Sequence, residues 1–195
     1  MIMQPDPITE PPRQASPRID AVSIETARLS LDGLRAGDLD DVMVVMGERH
    51  CARMTHAVPH PLSREDGAKM LDTMRAAVGA YWAVRLDDAL IGLISLTRSS
   101  CGKGPDLHSF GPNLSVFVAP RHRGHGYAVE AIDGLLAYVK RRRLHRVVHA
   151  AHFADNDASA RVLVMADFLY TGRRTMETSR ARDGEHEAWH MIRIL

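Results

Sequence analysis

The sequence predicts an α+β domain of three layers, with a mixed, mostly antiparallel sheet and helices on both faces. Three observations carry that expectation. Hydrophobic residues switch repeatedly between the strand repeat and the helix repeat along the 195-residue chain. Some strand patterns are joined by short turns, at Asp87-Asp88 and Asp183-Gly184, which makes them hairpins. Helix-length segments separate the others, so strands of both directions can share one sheet.

Residues 1–21 carry proline at 5, 7, 11, 12 and 17 among polar residues and read as a disordered tail. The folded domain is expected over 22–195. A first strand is expected over 23–34, with Leu29 and Leu31 on one face. Gly37-Asp38 opens a helix, with Asp38 as N-cap and Leu39, Val42, Met43 and Met46 as its buried stripe. Those methionines also suit the wall of a substrate groove. Residues 50–61, punctuated by Pro59 and Pro61, read as a loop. Ser63 caps the next helix, Leu71, Met74 and Val78 face inward, and Gly79 stops it. Strands at 81–86 and 90–96 form the first hairpin. Residues 99–112, rich in glycine and proline, read as a mobile loop. Further on, a strand is expected over 146–152, a helix from Asp155-Asn156, and a last hairpin from 168–173 and 187–195.

Composition excludes several functions. Net charge is +1, so nothing argues for a nucleic-acid surface. The basic run Lys140 to Arg143 lacks interleaved aromatics and lies where cations oppose the negative end of a helix. The two cysteines, Cys51 and Cys101, stand in no metal or redox spacing and suit a reducing compartment. No apolar run reaches membrane-spanning length, and the N-terminus shows no signal-peptide core. A soluble cytoplasmic protein, a monomer or homodimer without metal, is the expectation.

The organising stretch is 116–139. Leu114, Val116 and Val118 alternate with Ser115 and Phe117 as a strand that Pro120 ends. Arg121, His122 and Arg123 follow, then Gly124 and Gly126. Ala128, Ile132, Leu135, Leu136 and Val139 then mark one face of a helix. Strand, glycine turn and helix N-terminus together suit a phosphate or pyrophosphate, with Arg121 and Arg123 adding donors. On the glycines alone, an ordinary strand-to-helix turn with solvated arginines fits equally well. The dinucleotide fingerprint and the P-loop do not fit this stretch.

What fits is R-x-x-G-x-G-x-A, as Arg121, Gly124, Gly126 and Ala128. It resembles the coenzyme A pyrophosphate loop of the GNAT superfamily of N-acetyltransferases, and with Glu130-Ala131 it looks most like the RimJ/RimL-like branch. Glu25-Thr26-Ala27-Arg28-Leu29 resembles that branch's E-T-x-R-L opening. A second motif, 156–168, resembles N-x-x-S-x-R-V-L-x-K-x-G-F, matching at Asn156, Ser159, Arg161, Val162, Leu163 and Phe168 but with Met165 for lysine and Asp167 for glycine. The resemblance runs over about 25–195.

The resemblance implies a sheet splayed at its centre, between the strand at 114–119 and the strand at 146–152. It implies a pantetheine arm lying in that gap against Phe117 and Val118. Amides of Arg123, Gly124, His125, Gly126, Tyr127 and Ala128 would then hold the pyrophosphate, and Asn156 would reach the cofactor from the other side or act as a plain N-cap. It further implies direct attack of an amine on acetyl-CoA, with Ser159 as the acid, because Leu163 stands where many GNAT enzymes carry tyrosine. The branch often has a glutamate base where Asn113 stands, and asparagine takes no proton at neutral pH. His149 and His152 are fallback bases on the neighbouring strand. The expected activity is therefore acetyl-CoA-dependent N-acetylation of a protein N-terminus or a small amine. Asn113 and Leu163 also motivate an acyl-CoA-binding module, and an aminoglycoside acetyltransferase would need an acidic acceptor groove.

Overall fold

A computed structural model describes residues 22–77, 80–97 and 111–195. The tail at 1–21, the expected positions of Val78 and Gly79, and most of the loop at 99–112 lie outside the described residues.

The first expected strand is two strands, β1 (Ile24–Glu25) and β2 (Ser30–Asp32), paired antiparallel. Thr26 breaks it. Its N–H donates to the Leu29 carbonyl at 2.9 Å, and its hydroxyl accepts from the Leu29 N–H at 3.0 Å, which folds the chain back. Helix α1 (Leu39–Met46) follows with Val42, Val45 and Met46 buried. Asp38 stands at its N-cap position but makes no side-chain cap bond. Its carboxylate accepts instead from the Arg35 N–H at 2.7 Å and from Arg85 at 2.8 Å. A short helix, α2 (Arg49–Arg53), occupies part of the expected loop. Glu48 caps it by accepting from the N–H groups of His50 and Cys51. Glutamate is an unusual cap, so the sequence carried little signal for it. Ser63 caps α3 (Arg64–Ala76) as expected, accepting from the Asp66 N–H at 3.1 Å.

Strands β3 (Tyr81–Leu86) and β4 (Ala89–Thr97) form the first hairpin. Asp87 and Asp88 have φ of 49° and 69°, which a two-residue turn between twisted strands requires. Then come β5 (Asn113–Val118), α4 (Tyr127–Arg141), β6 (Val147–Phe153), α5 (Asp157–Met165), β7 (Leu169–Thr178) and β8 (Glu185–Ile194). The last hairpin is longer than expected, because β7 continues beyond Arg173 with exposed and half-buried residues in alternation.

The eight strands form one sheet in the order β1-β2-β3-β4-β5-β6-β8-β7. Every neighbouring pair is antiparallel except β5 and β6, which are parallel. Helices cover both faces. Leu135 and Leu136 of α4 pack with Trp82 and Ile94 in one core, while Val42, Val45 and Leu71 of α1 and α3 pack with Ala83 and Leu93 in another. Such side chains each stabilise the fold by about 1.5–3 kcal/mol when fully buried.

The parallel junction is brief. Among the described residues β5 and β6 register only at Asn113 opposite His149, beside a bond from the His149 N–H to the Pro112 carbonyl at 2.9 Å. Gly111 makes this close approach possible, since a Cβ there would collide with the Val147 carbonyl. Beyond Asn113 the strands part, and the sheet is splayed at its centre as the resemblance implied.

Candidate active site

The parting of β5 and β6 opens a cavity of about 920 Å³, within the range of small-molecule sites. Both strands line it, together with the first turn of α4, the start of α5, and residues of α1, α3, β7 and β8.

At one end lies the glycine turn. After Val118 the chain makes one 3₁₀ turn, Pro120–His122, and enters α4 through Gly124 and Gly126, both at φ 80°. Only glycine takes that left-handed conformation readily. The first bond inside α4 runs from the Glu130 N–H to the Gly126 carbonyl at 3.1 Å. The N–H groups of Tyr127, Ala128 and Val129 therefore have no acceptor within the helix, and all three residues line the cavity. A Cβ at Gly124 would meet nothing within 4 Å, so the turn lies open to an incoming group. Helix-end amides aimed into an accessible space are suited to a pyrophosphate.

The arginines sit differently from the sequence reading. Arg123 lines the cavity, but its guanidinium donates to the Val118 carbonyl at 3.0 Å and to Glu48 at 2.9 Å. That pairing holds the turn to α2. Burial pushes the Glu48 carboxyl up, but bonds from the His50 N–H, Arg123 and the Cys51 N–H outweigh it and leave the pKa below the ordinary value. Arg121 and His125 are exposed and are not among the lining residues. The His125 ring stacks on Tyr127 at 5.6 Å.

The E-T-x-R-L segment clamps this turn from outside. Glu130 accepts from the Thr26 hydroxyl at 2.6 Å, and from the Arg28 N–H and side chain at 2.7 Å each. Arg28 also donates to the His125 carbonyl at 3.1 Å and lies 4.6 Å over the Tyr127 ring. Burial raises the Glu130 pKa, but the bonds from Thr26 and Arg28 prevail and depress it. A depressed carboxyl contributes stability above its unfolded pKa and loses it as pH falls through the folded one. Glu130→Gln is expected to cost about 1 kcal/mol near neutral pH, since Arg28 is half exposed and screened. Calorimetry should show a Tm lower by a few degrees, several-fold weaker coenzyme A binding, and a difference from the parent that vanishes in acid.

A family model described as an acetyltransferase (GNAT) domain matches residues 28–168. The chain belongs to the GNAT acetyltransferase family. Solved structures share its fold at low identity. A GNAT-family acetyltransferase from Bacillus anthracis has TM-score 0.74 at 15% identity, covering 89% of this chain and 98% of its own. RimJ of Mycobacterium smegmatis, in complex with CoA-disulfide, has TM-score 0.73 at 14% identity, covering 89% and 88%. A Salmonella typhimurium acetyltransferase that modifies the N-terminal serine of 50S ribosomal subunit protein L7/L12 has TM-score 0.71 at 14% identity, covering 89% and 99%. No curated protein matches the sequence.

In this acetyltransferase the second motif lies on the far wall of the cavity. Asn156 is buried, and its side-chain oxygen accepts from the Ser159 N–H at 3.1 Å, so it is the N-cap of α5. Asn156, Ser159 and Leu163 all line the cavity. Phe117, Val118 and Asn113 line the opposite wall. The two fallback histidines separate. His149 is buried at the junction, where a Cβ on Gly111 would lie 3.7 Å from its ring, and it is not among the lining residues. His152 lines the cavity, but both ring nitrogens are engaged: Nδ1 lies 2.8 Å from the Phe153 carbonyl and Nε2 lies 3.0 Å from the Tyr170 hydroxyl. A carbonyl only accepts, so Nδ1 carries the proton and Nε2 accepts from Tyr170.

The sequence assigns acceptor choice to the first two helices, the loop at 99–112 and the last hairpin, but singles out no residue of that hairpin. Glu177 of β7 and His190 of β8 line the cavity, as does Tyr81 at the start of β3, whose phenol burial pushes up. The alternation of Ala188 with His190 was a usable sign that His190 faces inward. Which face of the last strand meets the site depends on strand register, which spacing alone does not set. Cys51 is buried in the core around α1, and burial chiefly pushes its thiol up to about 12, so it is no nucleophile near neutral pH. Among the described residues no His, Cys, Asp and Glu cluster suits a metal, and no helix is long and apolar enough to cross a membrane.

Proposed function

We propose that this enzyme moves the acetyl group of acetyl-CoA onto a primary amine, of a protein N-terminus or of a small molecule, by direct attack. The observation that carries the reading is the parting of β5 from β6 beside the open amides of α4. The pantetheine arm lies along β5 near Phe117 and Val118 as an added strand would. Amides from Arg123 to Ala128 hold the pyrophosphate, and Asn156 closes the site from the α5 side. Bound acetyl-CoA supplies a thioester carbonyl within reach of the acceptor.

Ser159, one turn into α5 from Asn156, gives a proton to the departing sulfur. Ser159→Ala is expected to lower kcat roughly 10–10³-fold with little change in coenzyme A affinity, the pattern of a contact made in the transition state. Parent-rate turnover of a chemistry-limited substrate by that variant would remove Ser159 from the mechanism.

The acceptor side is walled by Met46, Met54, Met70 and Met74, and carries Asp66, Lys69, Glu177 and Arg180, two charges of each sign. That balance does not support an aminoglycoside acceptor, which would want an acidic groove. Methionine thioethers suit apolar groups of varied shape. The deciding experiment is a panel comprising a serine-initiated peptide, an alanine-initiated peptide, phenethylamine and kanamycin, each with acetyl-CoA, read by free thiol release. Turnover of a peptide or of phenethylamine is the expected result. Coenzyme A binding without turnover of any amine would leave the binding module as the correct reading.

A further inference from the structure

Asn113 stands where the resemblance implied a glutamate base, and asparagine takes no proton at neutral pH. The register of the sheet shows what else faces the acceptor side. Residues opposite one another on neighbouring strands project from the same face. Asn113 pairs with His149, and His149 with Ile192. Two residues further along, Ala151 pairs with His190. His190 therefore projects from the same face as Asn113, one step up the gap, on the side of the sheet that α1 and α3 cover. Its ring is buried, lines the cavity, and lies with Nε2 2.8 Å from the Thr175 hydroxyl of β7. Thr175 pairs with Ala188, so it shares this face and fixes the ring's rotation.

The geometry assigns His190 as the base that takes the acceptor's proton, a role resting on the acetyltransferase reading above. The amine lone pair forms the C–N bond to the thioester carbonyl carbon, and the C–S bond breaks with its pair going to sulfur. The amine's extra proton passes to the neutral imidazole of His190 and then to solvent. The sulfur takes one proton from the Ser159 side, so protons and electrons balance. Imidazole is suited to this because its unperturbed pKa lies close to neutrality.

The described titratable and charged groups that face this side of the cavity are Glu177 of β7, Tyr81 of β3, Asp66 and Lys69 of α3, His56 between α2 and α3, and Arg180 at the rim, with His186 of β8 and His149 of β6 on the same sheet face. His149 stands at the junction and His186 is held by the Asp183 carbonyl at 3.0 Å. Glu177 and Asp66 are the carboxylates among them; Glu177 shares the two-stranded β7–β8 surface with His190, and its charge favours the protonated form of a neighbouring imidazole.

The experiment uses the full chain, acetyl-CoA, and the best amine of the panel above under chemistry-limited conditions. For the parent, kcat/KM calculated on the concentration of neutral amine should fall on the acid side with one pKa, equal to that of the His190 ring measured by NMR in the free enzyme, with His190→Gln identifying the resonance. His190→Gln should bind coenzyme A like the parent, lower kcat roughly 10²–10⁴-fold, and lose that limb. Glu177→Gln should keep the limb and move it to lower pH, because a negative charge is removed. Thr175→Val, which deletes only a hydroxyl, should lower kcat several-fold and move the ring's NMR pKa; it serves as the test should His190→Gln fail to fold. The assignment is overturned if His190→Gln keeps the limb, if Glu177→Gln removes it, or if the limb and the NMR pKa disagree. Failure of the acetyltransferase reading itself would appear separately, as a parent that turns over no amine.

Discussion

Gly126→Glu should abolish coenzyme A binding. Gly126 stands at φ 80° where α4 begins, beside the open N–H groups of Tyr127, Ala128 and Val129. A carboxylate there would occupy the anion's place and repel it. The left-handed backbone adds a cost of its own, about 1–2 kcal/mol for a residue with a Cβ. At this chain length that corresponds to a Tm lower by roughly 2–8 °C. Gly126→Ala separates the two effects, because it carries the same backbone cost without the charge. A Cβ there would meet only the end of the Arg28 side chain, at 3.6 Å. Calorimetry with coenzyme A should find no heat for Gly126→Glu and weakened but measurable binding for Gly126→Ala. Parent affinity in a folded Gly126→Glu would show that the pyrophosphate binds elsewhere.

Asp38→Ala should be the most destabilising single change among the charged residues described. Asp38 and Arg85 form an ion pair of 2.8 Å with both side chains under a tenth exposed. Removing one partner leaves a buried guanidinium with only Asp32, at 3.6 Å, and the Asp88 carbonyl, at 3.5 Å, nearby. Breaking such a pair costs about 3–5 kcal/mol, which lowers Tm by roughly 6–20 °C at this size. The double variant Asp38→Leu with Arg85→Met should recover most of the loss, since apolar replacements of a buried pair are often neutral. A loss as large in the double variant as in Asp38→Ala would mean that the pair's geometry, and not its uncompensated charge, sets the cost. Thermal unfolding of the three proteins decides it.

Much of this was legible in the chain. The periodicity of 114–118 and of Ile132 to Val139 placed the central strand and helix, because both elements bury one regular face. Gly124 and Gly126 marked the turn because their backbone conformation admits little else. The paired motifs around Thr26 and Glu130 were visible only as wording, and the fold shows them to be two halves of one clamp. What escaped was non-local. The partner of Arg123 is Glu48, 75 residues away in sequence, and no local pattern announces it. The burial of Arg85 with Asp38 and the inward turn of His190 depend on strand register, which sequence spacing alone does not set. Helix α2 was missed because its cap is a glutamate and its length is five residues.

The central claim is that coenzyme A enters the sheet where β5 and β6 part. A crystal structure of the full chain with coenzyme A tests it most directly. The account predicts the pantetheine between the two strands alongside Phe117 and Val118, the pyrophosphate over the amides of Arg123 to Ala128, and the thiol near Ser159. Coenzyme A bound outside that opening, with β5 and β6 parted but empty, would contradict it.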